Sequence, residues 1–340
     1  MNTPNKTTPT YRFFLGIDVA KLSLALYLYD KQTGQGYHFN VDNIPEGFAQ
    51  LQAWLLGHRA HKKKTLICSE HTGRYGEHLS VWLADNGWSH GLLNTTASGK
   101  VAPEHHRKTD SFDAELLAEY TRRYADKITL AQPVPDYIRL LERLRRDRRY
   151  LVDRRASMRQ KLSEIRYHAT DTAVFKEIYL EQIELYTKQI KRLDGHIKQL
   201  IASREDLSLI KRRLLSISGI GQVIAAQWIC LFFQQDHLNA RKISSRFGFA
   251  PHEVESGTTV RKRKRSSRHG NPEMRRMMFL AARSVVQHKA HFKQYYARKL
   301  EQGKHHRVIM NNVINKLIRR MCSIWNQKTC YDPNFLLTKS

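Results

Sequence analysis

The sequence has no long apolar run. No stretch approaches the roughly 18 to 20 apolar residues that a membrane-spanning helix needs, and no signal peptide is visible. Hydrophobic residues still make up 41% of the 340 positions, which is enough to bury cores in about two or three domains. We therefore expect a folded cytoplasmic protein with no membrane partner.

Cysteine is scarce as well. The four cysteines lie far apart along the chain, at Cys68, Cys230, Cys322 and Cys330. This spacing excludes both a CxxC metal knuckle and a dense disulfide framework. We expect reduced thiols that lie in the core or on the surface.

Negative charge is the third shortage. The chain has 31 Asp and Glu against 58 Lys and Arg, which gives a formal net charge of +27. This excess is far larger than solubility requires and indicates a polyanionic partner. Because membrane binding is not supported by any apolar segment, the composition predicts a protein that binds nucleic acid.

Residues 10–135, after a loose polar tail over 1–9, alternate short apolar runs with helical patterns. Strands are predicted over 13–18, 22–29, 37–41, 65–69 and 89–93, and helices over 47–58, 76–86 and from Asp110 onward. This β-β-β-α-β-α-β-α order is that of the ribonuclease H-like architecture. It predicts an antiparallel meander of the first three strands and places strands one and four side by side.

Four carboxylates fall at informative places in this architecture. Asp18 ends the first apolar strand, where a charge is costly unless a positive group meets it. Glu70 closes the fourth strand, and Asp110 and Asp113 share one face of the last helix. Four oxygen ligands at one sheet edge suit one or two Mg²⁺ or Mn²⁺ ions, which could polarise a phosphate and activate a hydroxyl.

Each carboxylate also has a structural explanation. Asp110 as a helix cap with Asp113 as its first-turn partner would account for that pair. A salt bridge to Arg74 would account for Glu70, and a chain turn would account for Asp18. Because all four residues fall on matching elements of one fold, the metal site is the favoured interpretation.

Residues 136–205 show apolar positions at helical spacing amid many arginines, with a break near 168–172. The pattern predicts two long helices in an antiparallel hairpin or coiled coil. Its narrow apolar stripe is explained equally well by dimerisation and by packing on a neighbouring domain. The arginines of the polar face, which include Arg145 and Arg146, are predicted to contact a nucleic-acid backbone.

Residues 206–340 form a third, mainly helical region. Ser218-Gly219-Ile220-Gly221 lies between two helical patterns and resembles the hairpin turn with which many DNA-binding proteins hold a phosphate on backbone N–H groups. Gly219 and Gly221 are therefore candidate phosphate-binding residues. A glycine turn between packed helices would give the same pattern.

A serine–glycine pair, Ser256-Gly257, lies in a predicted tight loop next to dense positive charge. A hydroxyl in such surroundings is suited to attack a phosphate, although most Ser-Gly pairs are plain turns. The cations that we expect to face phosphates here and before the acidic pair are Lys108, Arg261, Lys262, Arg263, Lys264, Arg265 and Arg268.

Together these residues resemble the DEDD-type insertion-sequence transposases of the IS110 type, which are related to the Piv DNA invertase and to the bridge-RNA-guided recombinases. The resemblance covers nearly the whole chain. It is carried by GIDVAK at 16–21, EHTGRY at 70–75, KTDSFDA at 108–114, SGIG at 218–221, and FGFAP at 247–251 leading to ESG at 255–257.

The resemblance implies a RuvC-like N-terminal domain in which Asp18, Glu70, Asp110 and Asp113 bind Mg²⁺. It also implies a coiled-coil middle and a C-terminal transposase domain in which Ser256 forms a phosphoserine link to DNA. In the bridge-RNA members a structured noncoding RNA pairs with donor and target DNA, and the active site combines residues of different subunits. A prokaryotic, nucleoid-associated homodimer or homotetramer is the corresponding expectation. The neighbouring Thr258 leaves the choice of nucleophile slightly open.

Three other functions are compatible with parts of the sequence. A RuvC-like nuclease or junction resolvase would use the metal site with water as the nucleophile. A nonenzymatic RNA- or DNA-binding protein would use the carboxylates only structurally. A sugar-kinase or actin-like ATPase shares the first-strand Asp, but the second Gly-rich phosphate loop of that fold is not found.

Overall fold

The computed structural model describes residues 11–70, 73, 75–93, 109–131, 134–170, 172–233, 237–252, 255–256, 260–261, 265–266 and 270–332. The predicted tail over 1–9 lies outside this part of the chain. Two compact units divide the protein, Met1–Val134 and Pro135–Ser340. None of the helices in the described residues combines the length and the apolar character needed to cross a membrane.

The first unit contains a five-stranded mixed sheet in the order β3-β2-β1-β4-β5. Its strands are β1 Phe13–Val19, β2 Ser23–Asp30, β3 Gly36–Asp42, β4 Thr65–Glu70 and β5 Ser89–Leu93. β1 pairs antiparallel with β2 and parallel with β4, and β2 pairs antiparallel with β3. The ribonuclease H-like order, the meander and the neighbouring strands one and four are therefore confirmed.

Three helices cover the sheet of the first unit: α1 Pro45–Gly57, α2 Glu77–Asp85 and α3 Asp110–Arg123. α1 and α2 pack on one face of the sheet, where Leu51 and Leu79 join a core with Leu15 and Ile17 of β1. α3 packs on the other face, where Leu117 contacts Cys68 of β4. The central strand is buried on both faces, which explains why its sequence is a nearly continuous apolar run.

Gly16 sets how closely α3 approaches the sheet. A Cβ atom at this position would lie 2.0 Å from the carbonyl oxygen of Ala114 and 2.5 Å from the backbone nitrogen of Ala118. Only glycine allows a helix backbone to come this near to a strand. The absence of a side chain at Gly16 thus fixes the position of α3 over the end of β1.

The second unit begins with a helical hairpin, α4 Asp136–Glu164 and α5 Ala173–Ala202. Arg148 forms an ion pair with Asp194 at 2.5 Å, and Arg155 donates a hydrogen bond to Thr187 at 3.2 Å. The two contacts fit one antiparallel register. The predicted pair of long helices and the break between them are therefore confirmed.

The remaining helices of the second unit are α6 Glu205–Leu215, α7 Gln222–Phe232, α8 Ala240–Arg246, α9 Pro272–His288, α10 Ala290–Glu301 and α11 His306–Gln327. α11 is buried along one face, with Val313, Ile314 and Leu317 among its buried residues. Apolar residues at this spacing form the stripe of an amphipathic helix that lines a core. The mixed sheet and the mainly helical second half confirm the predicted fold class.

One element of the second unit differs from the sequence prediction. Where a tight serine loop was expected, the chain forms two short antiparallel ladders, β6 Pro251–His252 with β9 Arg265–Ser266 and β7 Glu255–Ser256 with β8 Val260–Arg261. The inner ladder lies within the outer one along the chain. Strands of two residues are too short for a period-two pattern to reveal them, which is why the sequence indicated only a loop.

Candidate active site

Asp18 and Glu70 lie on neighbouring parallel strands at the same edge of the sheet. Ile17 of β1 pairs with Ser69 of β4, and Asp18 and Glu70 are the next residue on each strand. Side chains alternate along a strand, so Asp18 lies on the face of Gly16, which is the face covered by α3. Glu70 shares its face with Cys68, which also contacts α3.

The other two carboxylates come from the first turn of α3. The Oγ1 atom of Thr109 accepts a hydrogen bond from the backbone N–H of Phe112 at 3.3 Å, so Thr109 is the N-cap. The alternative in which Asp110 caps the helix is therefore wrong. Asp110 is exposed and Asp113 is half-buried, and both lie where the helix dipole favours negative charge.

The structure brings these four carboxylates into electrostatic contact. The pKa of Asp18 is raised to about 6, first by burial and then by repulsion from Asp110, Asp113 and Glu70. A hydrogen bond from the backbone N–H of Val19 acts in the other direction. A carboxyl that resists ionisation because it is partly buried, and because three others face it, is a site that a cation would stabilise.

The residues fit a divalent metal by chemistry. Within the described part of the chain, no three His, Cys, Asp or Glu side chains already lie close enough together to hold a metal ion. The donors are all carboxylate oxygens, the type that Mg²⁺ and Mn²⁺ bind, and Mg²⁺ commonly uses few carboxylates together with water and phosphate. A cation would offset the repulsion that raises the pKa of Asp18. Arg74, the alternative partner of Glu70, lies outside the described residues.

Ser256 ends the first strand of the inner ladder, where it pairs with Val260. The three residues 257–259, which include Thr258, join the two strands and lie outside the described residues. The chain segments before and after the two ladders lie close together, since a Cβ atom at Gly270 would lie 2.2 Å from the backbone of Phe247. Nδ2 of Asn311 on α11 also donates a hydrogen bond to the carbonyl of Phe249 at 2.7 Å. Phe247 and Phe249, just before the hairpin that carries Ser256, are thus in contact with Gly270 and α11.

The two glycines of the turn between α6 and α7 have different surroundings. Gly219 has φ of +85°, and a Cβ atom there would lie 2.4 Å from Cγ1 of Val285 on α9. Packing on α9 is therefore sufficient to explain Gly219. Gly221 is exposed and is the N-cap of α7. A role of either residue in phosphate binding remains a prediction.

The predicted nucleic-acid-binding cations fall into three groups. Lys108, Lys262, Arg263, Lys264 and Arg268 lie outside the described residues. In the backbone register of the two ladders, Arg261 lies opposite Glu255 and Arg265 lies opposite His252. On α4, Nη1 of Arg145 lies 3.0 Å from a carboxylate oxygen of Glu273, and Nη2 of Arg146 lies 3.6 Å from one of Glu142. These ion pairs count against a role of the two α4 arginines in binding a phosphate backbone.

Sequence reasoning missed the basic surface of α10 and α11. α11 carries Lys316, Arg319 and Arg320 and has no acidic residue in 22 positions. That absence of Asp and Glu was visible in the sequence and could have indicated the surface. The role of Gly16 could also have been suspected, because glycine is unusual in the middle of an apolar strand.

Comparison with known proteins places two family models on the chain. A transposase model of the DEDD, IS110 type matches residues 15–165, and a model described as "Transposase IS116/IS110/IS902 family" matches residues 211–297. The two matches include all four carboxylates and Ser256.

Curated relatives match over nearly the full length. The pilin gene-inverting proteins of Moraxella lacunata and Moraxella bovis are each 25% identical to the chain over 325 residues, which is 94% of this chain and 97% of theirs. The fold, the two family models and these relatives agree. The chain therefore belongs to the IS110 family of transposases, enzymes that recombine DNA.

Proposed function

We propose that this transposase cuts and rejoins DNA with a Mg²⁺-binding carboxylate cluster and a serine nucleophile, under the guidance of a bridge RNA. The observation that carries the proposal is the approach of Glu70, Asp110 and Asp113 to Asp18, whose pKa is raised to about 6 by burial first and then by repulsion from these three carboxylates. The pilin gene-inverting proteins are named for inverting a gene, and we propose the same class of site-specific rearrangement here.

The four carboxylates would hold Mg²⁺ or Mn²⁺. When bound, such an ion supplies charge stabilisation at a scissile phosphate. The chain's own part is to position the ligands. Gly16 lets α3 lie close to β1, and Thr109 fixes where α3 begins, so that Asp110 and Asp113 face the strand ends.

Ser256 would supply the nucleophile from the second unit. Its Oγ attacks the scissile phosphorus, a phosphoserine bond forms, and the P–O bond to the leaving strand breaks, which frees a DNA hydroxyl. Attack by a hydroxyl of the recombining strand reverses the step. Since the phosphoester bond is conserved throughout, rejoining needs no ATP.

Donor and target duplexes and a structured RNA are the proposed partners. The net charge of +27 supports binding to phosphate backbones, which carries no sequence information by itself. Base pairing with an RNA would supply sequence recognition, while the protein holds the shape of the nucleic acids.

A homodimer or homotetramer is supported by apolar side chains on the helical hairpin. Val174 is 65% exposed and Phe175 is 52% exposed near the start of α5, with Ile178 and Leu185 also exposed. A stripe of this kind commonly packs on another helix. We expect Phe175→Asp with Ile178→Asp to lower the molar mass measured by light scattering, and an unchanged mass would exclude this surface as the interface.

The central test combines recombination and covalent capture. The protein is purified from cells that carry the noncoding DNA flanking its gene, and donor and target plasmids are incubated with it and Mg²⁺. Wild type should give recombinants and a protein–DNA adduct, and Ser256→Ala should give neither. Thr258→Ala is the matched control and should retain both.

The same assay separates the alternative. Mg²⁺-dependent cutting that persists in Ser256→Ala without an adduct would indicate a RuvC-like nuclease or junction resolvase with water as the nucleophile. Sequencing of RNA that copurifies tests the guide separately. A discrete RNA whose removal stops recombination is expected, and full activity without RNA would contradict the guided mechanism.

A further inference from the structure

Within the described residues, the last two helices of the second unit carry positive charge that no ion pair compensates. α10 and α11 together contain seven Lys and Arg residues and one acidic residue, Glu301. Within the part of the chain that the structure describes, none of these seven cations takes part in an ion pair. We call five of them the α10–α11 basic surface: Arg298, Lys299, Lys316, Arg319 and Arg320.

The helical geometry gathers this charge in one place. Lys316, Arg319 and Arg320 are three and four positions apart and so lie on one side of α11. The pKa of Lys316 is lowered by burial and then by Arg320, Arg298, Arg319 and Lys299, so the cations of the two helices repel one another. His291, at the start of α10, has its pKa lowered by burial and then by Arg320, Lys316 and Lys289.

The arginine-rich helix α4 is the instructive contrast. It has ten Lys and Arg residues, but it also has five acidic residues. Nε of Arg143 lies 4.0 Å from Oδ2 of Asp147, and Nε of Arg149 lies 2.7 Å from Oδ2 of Asp153. Six of its ten cations form ion pairs within the described residues, whereas none of the cations of the α10–α11 basic surface does.

Aromatic rings hold part of the surface in place. Nζ of Lys316 lies 3.7 Å from the ring centroid of Tyr295, and Cζ of Arg320 lies 5.0 Å from that of Phe292 and 4.5 Å from that of Tyr331. Phe292 is buried. Because these rings pack in the protein or already have a cation over them, they do not form an open platform for stacking on unpaired bases.

We propose that the α10–α11 basic surface binds the sugar-phosphate backbone of duplex DNA. Fixed, uncompensated cations without free stacking faces suit a partner whose bases are stacked inside and whose phosphates lie outside. The inference rests on the proposed function in one respect, that double-stranded DNA is a substrate. It adds where on the second unit such a duplex is held.

The test removes three positive charges either from the α10–α11 basic surface or, as a control, from the helices α4 and α5. One full-length variant carries Arg298→Gln, Lys316→Gln and Arg319→Gln. The matched control carries Arg143→Gln, Arg146→Gln and Lys188→Gln, three exposed cations that are each paired with a carboxylate on their own helix. Binding of a short fluorescent DNA duplex of mixed sequence is measured by anisotropy over a series of salt concentrations.

The surface variant should weaken duplex binding about tenfold or more near physiological salt, and the slope of log K against log salt should fall by about 2 to 3. The control should change both quantities far less. Equal effects of the two triple variants would overturn the inference. A loss confined to an RNA hairpin tested in parallel would overturn the choice of duplex DNA.

Folding is checked by thermal unfolding of each variant. If the triple variant does not fold, Arg319→Gln alone, at an exposed position, should lower the salt slope by about 1. A charge-preserving variant, Arg298→Lys with Lys316→Arg and Arg319→Lys, should bind like wild type. If the wild type binds DNA but never recombines plasmids, the proposed function is contradicted. If the surface variant recombines plasmids and binds the duplex as tightly as wild type, only this inference is contradicted.

Discussion

The two ends of the β1–β2 ladder hold aspartates with opposite behaviour. Near one end, Asp18 pairs in register with Ala25 and its pKa is raised to about 6. At the other end, Asp30 pairs in register with Phe13 and its pKa is lowered to about 2. The same residue type in the same pair of strands is thus shifted in both directions.

The difference lies in what faces each carboxylate. Asp30 is buried and accepts hydrogen bonds from Nε of Arg12 at 2.9 Å and from Nη2 at 2.6 Å, with a further bond from the backbone N–H of Gln32. These bonds, those of Arg12 first, hold its pKa down against burial. Asp18 faces three other carboxylates instead.

The comparison teaches how to tell a structural carboxylate from a functional one. At the Asp30 end the chain supplies its own counter-charge, so the site is complete without a ligand. At the Asp18 end the described residues bring like charges together, which costs stability, and we propose that a bound cation compensates this cost during function. Four experiments sharpen or break this comparison.

The largest expected effect is on activity. Asp18→Asn should lower the rate of plasmid recombination about a thousandfold or more, because the proposed metal ligand would contribute several kcal/mol of transition-state stabilisation. Asp30→Asn is the matched control and should leave the rate nearly unchanged at a temperature where it is folded. Equal losses in the two variants would break the comparison.

A second experiment displaces α3 from the Asp18 end. In Gly16→Val the new side chain would collide with the backbone of Ala114 and Ala118, and we expect a loss of about 3 kcal/mol or more in stability together with loss of recombination. Urea unfolding measures the first quantity. Gly57→Val is the control, because a Cβ atom at Gly57 would have no other heavy atom within 4 Å. Equal destabilisation by the two substitutions would contradict the close approach of α3.

The third experiment measures the cost of gathering like charges. Because the folded pKa of Asp18 is raised above its unfolded value, its contribution to stability is present below about pH 4 and is lost as pH rises through about 6. At pH 7.5 without metal, Asp18→Asn should therefore be more stable than wild type by about 1 to 3 kcal/mol.

Mg²⁺ gives the complementary readout for Asp18. It should raise the melting temperature of wild type at pH 7.5, and EDTA should reverse the shift, whereas Asp18→Asn should respond much less. If neither Mg²⁺ nor Mn²⁺ changes the melting temperature of wild type, that result would argue against a metal at this end of the sheet.

The smallest expected effect concerns the other end. The folded pKa of Asp30 is lowered, so its stabilising contribution is present above about pH 4 and is lost as pH falls toward 2. Asp30→Asn should lower the free energy of unfolding at pH 7 by about 1 to 2 kcal/mol. The difference in the free energy of unfolding between the variant and wild type should shrink as the pH is lowered. A difference that stays constant would show that the Arg12–Asp30 ion pair is not its cause.

The pattern of apolar runs was enough to predict the first unit. The alternation of strands and helices identified the ribonuclease H-like order, and that order alone placed Asp18 beside Glu70 at one edge of the sheet. The helix that starts at Asp110 was predicted too, although its cap, Thr109, was not. Local patterns suffice here because the buried strands are short apolar runs bounded by turns and the helices carry apolar residues at helical spacing.

Two features could not be predicted from local patterns. They are the hairpin that carries Ser256 and the question of which basic residues form ion pairs. Two-residue strands have no detectable period, and the segment just before them is held by a hydrogen bond that is distant in sequence, that of Asn311 with Phe249. The dense arginines of α4 predicted a nucleic-acid surface, and the sequence could not show that six of them lie beside carboxylates, among them Arg145 beside Glu273.

The sequence by itself determined the family, the fold class, the positive charge and the identity of the four carboxylates. Only the tertiary structure decided which charges are neutralised, because a charge is compensated by whatever lies within a few ångströms, regardless of chain distance. Asp18 and Asp30 are both aspartates next to apolar residues in the sequence. Folding places Arg12 against Asp30 and three carboxylates around Asp18, and from that difference we infer which of the two acts in catalysis.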